Sequence, residues 1–438
     1  MADPAPFRSI SPGTQPPYDA PAYHSTAKRH PRWAPLPLPL TVTETTGPSF
    51  PPERFPAIAD LTLIAGAPAI GERIIVAGTV TNEDGKPVPG AMVEVWQANA
   101  AGRHDHPEDR HDAPLDPQFH GAGRVFTDAE GRYRFVTIRP GAYAWENHRN
   151  AWRPAHIHFS VCGPNFAARL VTQMYFPGDP LLTFDPVFHA VPEAAARNRL
   201  VASFDFGLAQ PDWALGYRFD LVLPSRFVRP DDDGPREKHT PPGGNRQHKP
   251  APNGGHPSLP IATPSQTIGH HWHLIEDPAW ADLTRFGAEG ERITLTGSIR
   301  DGDGQPCTDA CIEIWQADPP ASERFTGFGR ARVDERGVFR LRTVRPGPVP
   351  QGPVGQGNEG SALQAPHVAL RILARGLMRD LVTRLYFQDD PRNETDPLLT
   401  SFEDPERRAT LIARPDGPAA WRLDIRLQGY NETVFLAI

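Results

Sequence analysis

Short runs rich in Val, Ile, Leu and aromatic residues recur along this chain, separated by clusters of Gly, Pro, Asn and Asp. Arg73-Ile-Ile-Val-Ala-Gly-Thr-Val, Ala91-Met-Val-Glu-Val-Trp-Gln-Ala, Tyr133-Arg-Phe-Val-Thr-Ile, Arg169-Leu-Val-Thr-Gln-Met-Tyr-Phe and Tyr217-Arg-Phe-Asp-Leu-Val-Leu each read as a strand. A strand is also expected to begin near Leu40-Thr-Val-Thr-Glu-Thr-Thr, and a short helix is expected over Pro192-Glu-Ala-Ala-Ala-Arg-Asn. No apolar run is long enough to span a bilayer. The pattern predicts an all-β chain rich in loops, which 52 prolines and 38 glycines reinforce.

Residues 1–40 form a Pro-rich arm with scattered aromatics, either disordered or laid over another surface. Between 229 and 260 apolar periodicity disappears, and the composition reads as a flexible linker. The segments on either side, 41–228 and 261–438, repeat each other. Gly71-Glu-Arg-Ile answers Gly290-Glu-Arg-Ile, and Glu94, Trp96 and Gln97 answer Glu313, Trp315 and Gln316. Thr137-Ile-Arg-Pro-Gly answers Thr343-Val-Arg-Pro-Gly, and Leu170-Val-Thr-Gln-Met-Tyr-Phe answers Leu381-Val-Thr-Arg-Leu-Tyr-Phe. A period this long is a duplicated domain, not a solenoid.

The formal charge of -7 disfavours nucleic acid or an acidic membrane as the main partner. Cys162, Cys307 and Cys311 make neither a disulfide framework nor a zinc motif. The first residues lack the basic-then-apolar pattern of a secretory signal, so a cytoplasmic protein is expected.

Candidate chemistry concentrates in Trp152-Arg-Pro-Ala-His-Ile-His-Phe. In a strand, His156 and His158 project to one face with Cα atoms about 6.5–7 Å apart, close enough to converge on one metal ion. Tyr143, after the turn-like Arg139-Pro-Gly, can bring a phenolate to the same point, and oxygen beside two histidines suits ferric iron. In the second copy Tyr143 falls opposite Val349, and Arg153, His156 and His158 fall opposite Gln364, His367 and Ala369. That copy cannot assemble the same set, which favours a metal centre in the first copy over a pair of ordinary strand histidines.

Glu44-Thr-Thr-Gly-Pro, Glu94-Val-Trp-Gln-Ala-Asn-Ala-Ala-Gly-Arg, Ala113-Pro-Leu-Asp-Pro-Gln-Phe and the H-x-H strand resemble the β subunit of the protocatechuate 3,4-dioxygenases, members of the intradiol ring-cleaving family. Thr263-Pro-Ser-Gln-Thr-Ile-Gly, Ala365-Pro-His, Ala374-Arg-Gly and Asn431-Glu-Thr-Val-Phe resemble the α subunit. The resemblance implies two antiparallel β-sandwich domains, a non-haem Fe(III) cofactor, and insertion of both atoms of O2 between the hydroxyl-bearing carbons of protocatechuate to give 3-carboxy-cis,cis-muconate. It implies a small catechol and O2 as partners and a homo-oligomer of the fused chain. By position, Tyr143, His156 and His158 correspond to metal ligands and Arg153 to a catalytic cation. Tyr23, Trp145, Gln173, Val187, Thr267, Gly269 and Arg375 correspond to residues around the substrate.

Two positions depart from the family pattern. Where the β subunit carries a second tyrosine ligand in a Gly-Arg-Tyr context, this chain reads Gly102-Arg103-His104. His104 is expected to serve as both ligand and proton acceptor in its place, which leaves open a three-histidine site with different chemistry or none. Where the α subunit reads Pro-Tyr, this chain reads His270-His271, which loosens the substrate assignment towards catechol or hydroxyquinol.

Overall fold

In a computed structural model, residues 11–63, 66–107, 109–145, 152–224, 260–352 and 362–438 are described. The described residues are mostly β, with 32% in strands and 11% in helices. No helix among the described residues is long and apolar enough to cross a membrane. All but Pro260 of the expected linker lies outside the described residues.

In the first half, Ala122–Phe126, Met92–Trp96, His156–Cys162 and Arg169–Tyr175 lie side by side, all antiparallel, in one four-stranded sheet. A second sheet centres on Arg73–Asn82, flanked by Arg132–Ile138 on one edge and by Leu215–Arg218 and Leu221–Leu223 on the other. Alternation decides what lies between the sheets. Ile157, Phe159, Val93 and Val95 from the first meet Ile74, Val76, Phe135 and Leu221 from the second in one apolar cluster. His156, Ser160, Glu94 and Trp96 belong to the opposite face. The run at 217–223, expected as one strand, is two, Leu215–Arg218 and Leu221–Leu223.

The same strands recur in the second half around a second cluster that includes Ile293, Leu295, Ile312, Ile314, Val368 and Leu370. There Ile412–Pro415 and Ala420–Arg422 join the two sheets into one hydrogen-bonded path.

Two sequence expectations are corrected. Leu40-Thr-Val-Thr-Glu-Thr-Thr does not begin a strand: Val42–Thr45 is a single helical turn. Thr41 Oγ1 accepts from the Thr43 N–H at 3.3 Å and Glu44 Oε2 from the Thr41 N–H at 2.9 Å, a capping box that outweighs the β-branched composition. The helix expected from 192 is shorter, Ala194–Asn198, with Glu193 as its cap.

The halves meet through the outer faces of their H-x-H-type sheets. Met92, Cys162 and Phe166 share one cluster with Trp315, Phe328, Ala369 and Tyr386, and Trp96 and Val171 share another with Ile268, Trp272 and Cys311. At the centre lies a buried charge network. Arg330 donates to Glu94 at 3.0 and 2.8 Å and to Glu313 at 3.1 and 2.9 Å, while Arg169 donates to Glu313 at 3.0 and 2.8 Å.

The described part of the arm runs over the second half. Leu36–Pro37 pairs in parallel with Leu436–Ala437, and Arg29 clamps Asp309 at 2.7 and 2.9 Å. This path brings Tyr23 to Gly376, whose N–H donates to the phenol at 3.1 Å.

Candidate active site

Strand register builds the site. His158 lies between Trp96 and Gln173 on neighbouring strands, and His156 lies beside Tyr175. Trp96 stacks flat on the His158 ring, with centroids 4.8 Å apart and planes at 9°. The His156 and His158 centroids are 4.9 Å apart. A short ribbon, Tyr143–Ala144 against Trp152–Arg153, sets Tyr143 opposite Arg153.

The His156 ring is fixed from behind. Its Nδ1 donates to the Pro154 carbonyl at 2.7 Å, which leaves Nε2 as a lone pair 3.3 Å from the Tyr143 hydroxyl. Nδ1 of His158 is buried without a hydrogen-bond partner. A carbon added at Gly269 would sit 2.9 Å from His158 Cε1, so only glycine leaves this ring its space. Burial, with the Arg153 charge behind it, holds His156 well below the ordinary imidazole value; burial, then His156, does the same for His158. Burial pushes the Tyr143 phenol up to about 12. Two neutral imidazoles and a phenol therefore share one wall.

Arg153 is 3% exposed, and burial works against its charge. Asp185 outweighs that cost: its Oδ2 accepts from Nη2 at 2.8 Å and from Nε at 3.2 Å. Nη2 also donates to Gln173 Oε1 at 2.6 Å and to the Tyr175 hydroxyl at 3.0 Å, and the guanidinium lies 5.2 Å over the Trp145 ring. Asp185 did not emerge from the sequence. Its visible signal was an Asp-Pro pair, which here caps the helix Pro186–His189 and fixes Val187 through the Val187 N–H at 2.9 Å.

A cavity of about 950 Å³ opens against this wall, lined by Tyr23, Trp145, Tyr143, Arg153, His158, Thr267, Gly269 and Arg375. Most of the residues expected around a substrate are thus brought together from both halves and the arm. Gln173 stands behind the lining, tied by Nε2 to the Thr267 carbonyl at 3.0 Å. Val187 is fully buried in an apolar cluster with Tyr23 and Met378, beneath the Tyr23–Trp145 stack.

His104 keeps other company. Its Nδ1 is 2.9 Å from Asp109 Oδ2, which also accepts from the His104 N–H at 2.8 Å. Its ring stacks on His271 of the second half at 4.2 Å and meets Tyr143 edge-on at 5.2 Å. Burial would raise the Asp109 carboxyl, but the His104 ring and amide outweigh it and hold it below the carboxylate range. Burial, then the His104 and His270 rings, pushes His271 down to about 2.

The second half shows what became of the duplicated site. His367 repeats the geometry of His156, with its Nδ1 on the Ala365 carbonyl at 2.8 Å and its Nε2 capped by Thr43 Oγ1 at 2.9 Å. Arginine and glutamine have exchanged strands: Arg384 stands where the first half has Gln173, and it donates to Gln364 Oε1 at 2.6 Å. Glu44 accepts from Arg384 at 2.7 Å. A paired guanidinium, not a cation-binding hollow, fills that position.

The sequence model of the dioxygenase family matches residues 45–225 and 281–430, and that of the protocatechuate 3,4-dioxygenase beta subunit N terminal matches 11–41. The protocatechuate 3,4-dioxygenase beta chain of Burkholderia cepacia is 54% identical over 220 residues, covering 50% of this chain and 93% of that one. The alpha chain from Pseudomonas putida is 38% identical over 197 residues, covering 40% of this chain and 94% of that one. A 6-chlorohydroxyquinol 1,2-dioxygenase of Cupriavidus pinatubonensis is 34% identical over 166 residues, covering 35% of this chain and 55% of its own. The beta and alpha chains match different parts of the polypeptide. The chain is therefore an oxidoreductase of the intradiol ring-cleaving dioxygenase family, with a beta-like and an alpha-like portion in one polypeptide.

Proposed function

We propose that this chain cleaves protocatechuate between its hydroxyl-bearing carbons, with both atoms of O2 entering a 3-carboxy-cis,cis-muconate product, at a non-haem iron held by Tyr143, His156 and His158. The paired sheets around one apolar cluster in each half support two β-sandwich domains, of which the first carries the centre. The donor chemistry fits iron: His156 offers a bare Nε2 beside the Tyr143 oxygen, and the His158 ring carries an orphaned buried nitrogen. An imidazole reaches less far than the phenol of the family pattern, and His104 is gathered with Asp109 and His271 into a cluster of its own. The proposed set is therefore three side chains, with a position left for substrate or water.

Ferric iron would supply a Lewis acid that binds both catechol oxygens and makes the ring reactive towards O2. The chain supplies the rest. Tyr143, whose phenol burial pushes up to about 12 in the metal-free chain, would hold the iron as its phenolate. Arg153, fixed by Asp185, Gln173 and Tyr175, presents a rigid cation to negative charge developing on the ring. Tyr23 and Trp145 stack at 5.4 Å and wall the ring side.

The observation that carries the choice of substrate is Arg375. It belongs to the second half, lines the same cavity, and is braced by Asp309 at 3.2 Å, near Tyr23. A guanidinium lining the cavity that Tyr143 and His158 also line suits a catechol bearing a carboxylate. The test is oxygen uptake by iron-quantified protein with protocatechuate, catechol and hydroxyquinol side by side. One O2 per protocatechuate with the carboxymuconate product is expected, with kcat/KM for catechol and for hydroxyquinol each at least ten-fold below that for protocatechuate. Uptake only with the uncarboxylated rings would reject the substrate, and none with any ring would reject the activity.

A further inference from the structure

Of the residues that depart from the family pattern, His104, His270 and His271, the first and the last lie 167 positions apart in sequence and stack on each other at 4.2 Å. Asp109 stands beside both. The geometry points to a second metal site, in which His104, Asp109 and His271 hold a divalent first-row transition ion at the wall of the cavity, apart from the Tyr143–His156–His158 centre.

The donor atoms are already gathered: one from each residue, all within 4.8 Å of one another. Asp109 Oδ2 is 2.9 Å from His104 Nδ1 and 3.8 Å from His271 Nε2. Donors bound at about 2.0–2.2 Å to one tetrahedral ion stand roughly 3.3–3.6 Å apart, so the shorter of these spacings opens and the longer closes only slightly. Two neutral imidazoles and a carboxylate are the donor set of zinc, cobalt(II) and iron(II) sites. Backbone amides orient the carboxylate: the His104 and His111 N–H groups donate to its two oxygens at 2.8 and 2.9 Å. Asp109 and His271 both line the cavity, so an ion has a path in. Nδ1 of His271 is buried without a hydrogen-bond partner.

The rings around the site extend the pattern. His106 lies 5.3 Å from His271 and 5.1 Å from His273, giving a layer of imidazoles between the loop after Trp96 and the segment after Gly269. An ion here would tie the beta-like portion to the alpha-like portion beside the substrate, and would place a positive charge where the family pattern has two phenols.

The experiment is metal binding by the purified, iron-containing full chain. Cobalt(II) is titrated into it and followed by calorimetry and by the visible absorption of the bound ion, with iron measured in parallel. One equivalent of cobalt beyond the iron is expected. Asp109→Asn should weaken that uptake at least ten-fold. The double reversion of His104→Tyr with His271→Tyr, which restores side chains the family fold accommodates, should abolish it with iron content retained. His158→Ala should do the opposite, losing iron and keeping the cobalt site. No uptake beyond the iron, or uptake indifferent to Asp109→Asn and to the reversion, would overturn the second site. Loss of iron in the reversion would also overturn it, by assigning all these residues to one ion. Failure of the iron centre would appear separately, as protein that takes up cobalt but no iron.

Discussion

Arg330→Met tests whether the halves are joined as described. Its side chain is 3% exposed and is the shared partner of two carboxylates, Glu94 and Glu313, which are 0% and 1% exposed. Methionine fills similar volume but leaves Glu94 with Ser160 at 3.0 Å and a distant Arg124 at 3.4 Å, and Glu313 with Arg169 alone. Removing one member of a buried ionic network costs about 3–5 kcal/mol, because the remaining charge stays desolvated. For halves of this size that lowers the midpoint of thermal unfolding by on the order of 10 °C. Acid provides an independent readout. Burial alone would raise the Glu313 carboxyl, but Arg169 and Arg330 bring it from its ordinary 4.5 to about 2. That difference, at 1.36 kcal/mol per pH unit, corresponds to about 3 kcal/mol. A depressed carboxyl contributes stability that is present above its ordinary value and is lost as the pH falls through its folded value. Wild-type stability should therefore decline between about 4.5 and 2, and in Arg330→Met the decline should end at higher pH and be smaller. Scanning fluorimetry and urea unfolding across pH 2–7 measure both effects. A midpoint within about 2 °C of wild type, with an unchanged acid limb, would refute the joint.

Other changes probe the site. Tyr143→Phe keeps the ring and removes the oxygen donor, so bound iron should fall and any phenolate-to-metal band should vanish from the visible spectrum. Gly269→Ala meets both a positive φ of 79° and a contact of 2.9 Å with His158 Cε1, so iron occupancy should drop while the circular dichroism of the chain is kept. Arg153→Lys cannot reproduce the fork that spans Asp185, Gln173 and Tyr175; kcat should fall on the order of 100-fold with KM changing much less. Arg375→Leu should raise KM for a carboxylated catechol and leave that for plain catechol near wild type, as steady-state oxygen uptake would register.

The strands, the duplication and the shared face of His156 and His158 were open to reading because they are local. A strand turns alternate residues to one side whatever surrounds it, and Ile157 and Phe159 reach the core for the same reason that the histidines do not. The turn at Val42–Thr45 also carries a local signal, the Thr41-x-x-Glu44 box, within a stretch whose β-branched composition suggests a strand. The partners were not readable. Nothing near Arg153 announces Asp185, 32 positions on, and nothing near Glu94 announces Arg330, 236 positions on. Whether His104 meets a metal, Asp109 or His271 depends on how a loop of one half seats against the other. The sequence by itself determined which side chains share a strand face and which residue types could bind metal. Only the tertiary structure decided which charges are paired, where the arm delivers Tyr23, and that the two exceptional histidines touch. Periodicity follows from backbone geometry repeated residue by residue, whereas these pairings arise only when two desolvated faces close and every buried charge must find a partner.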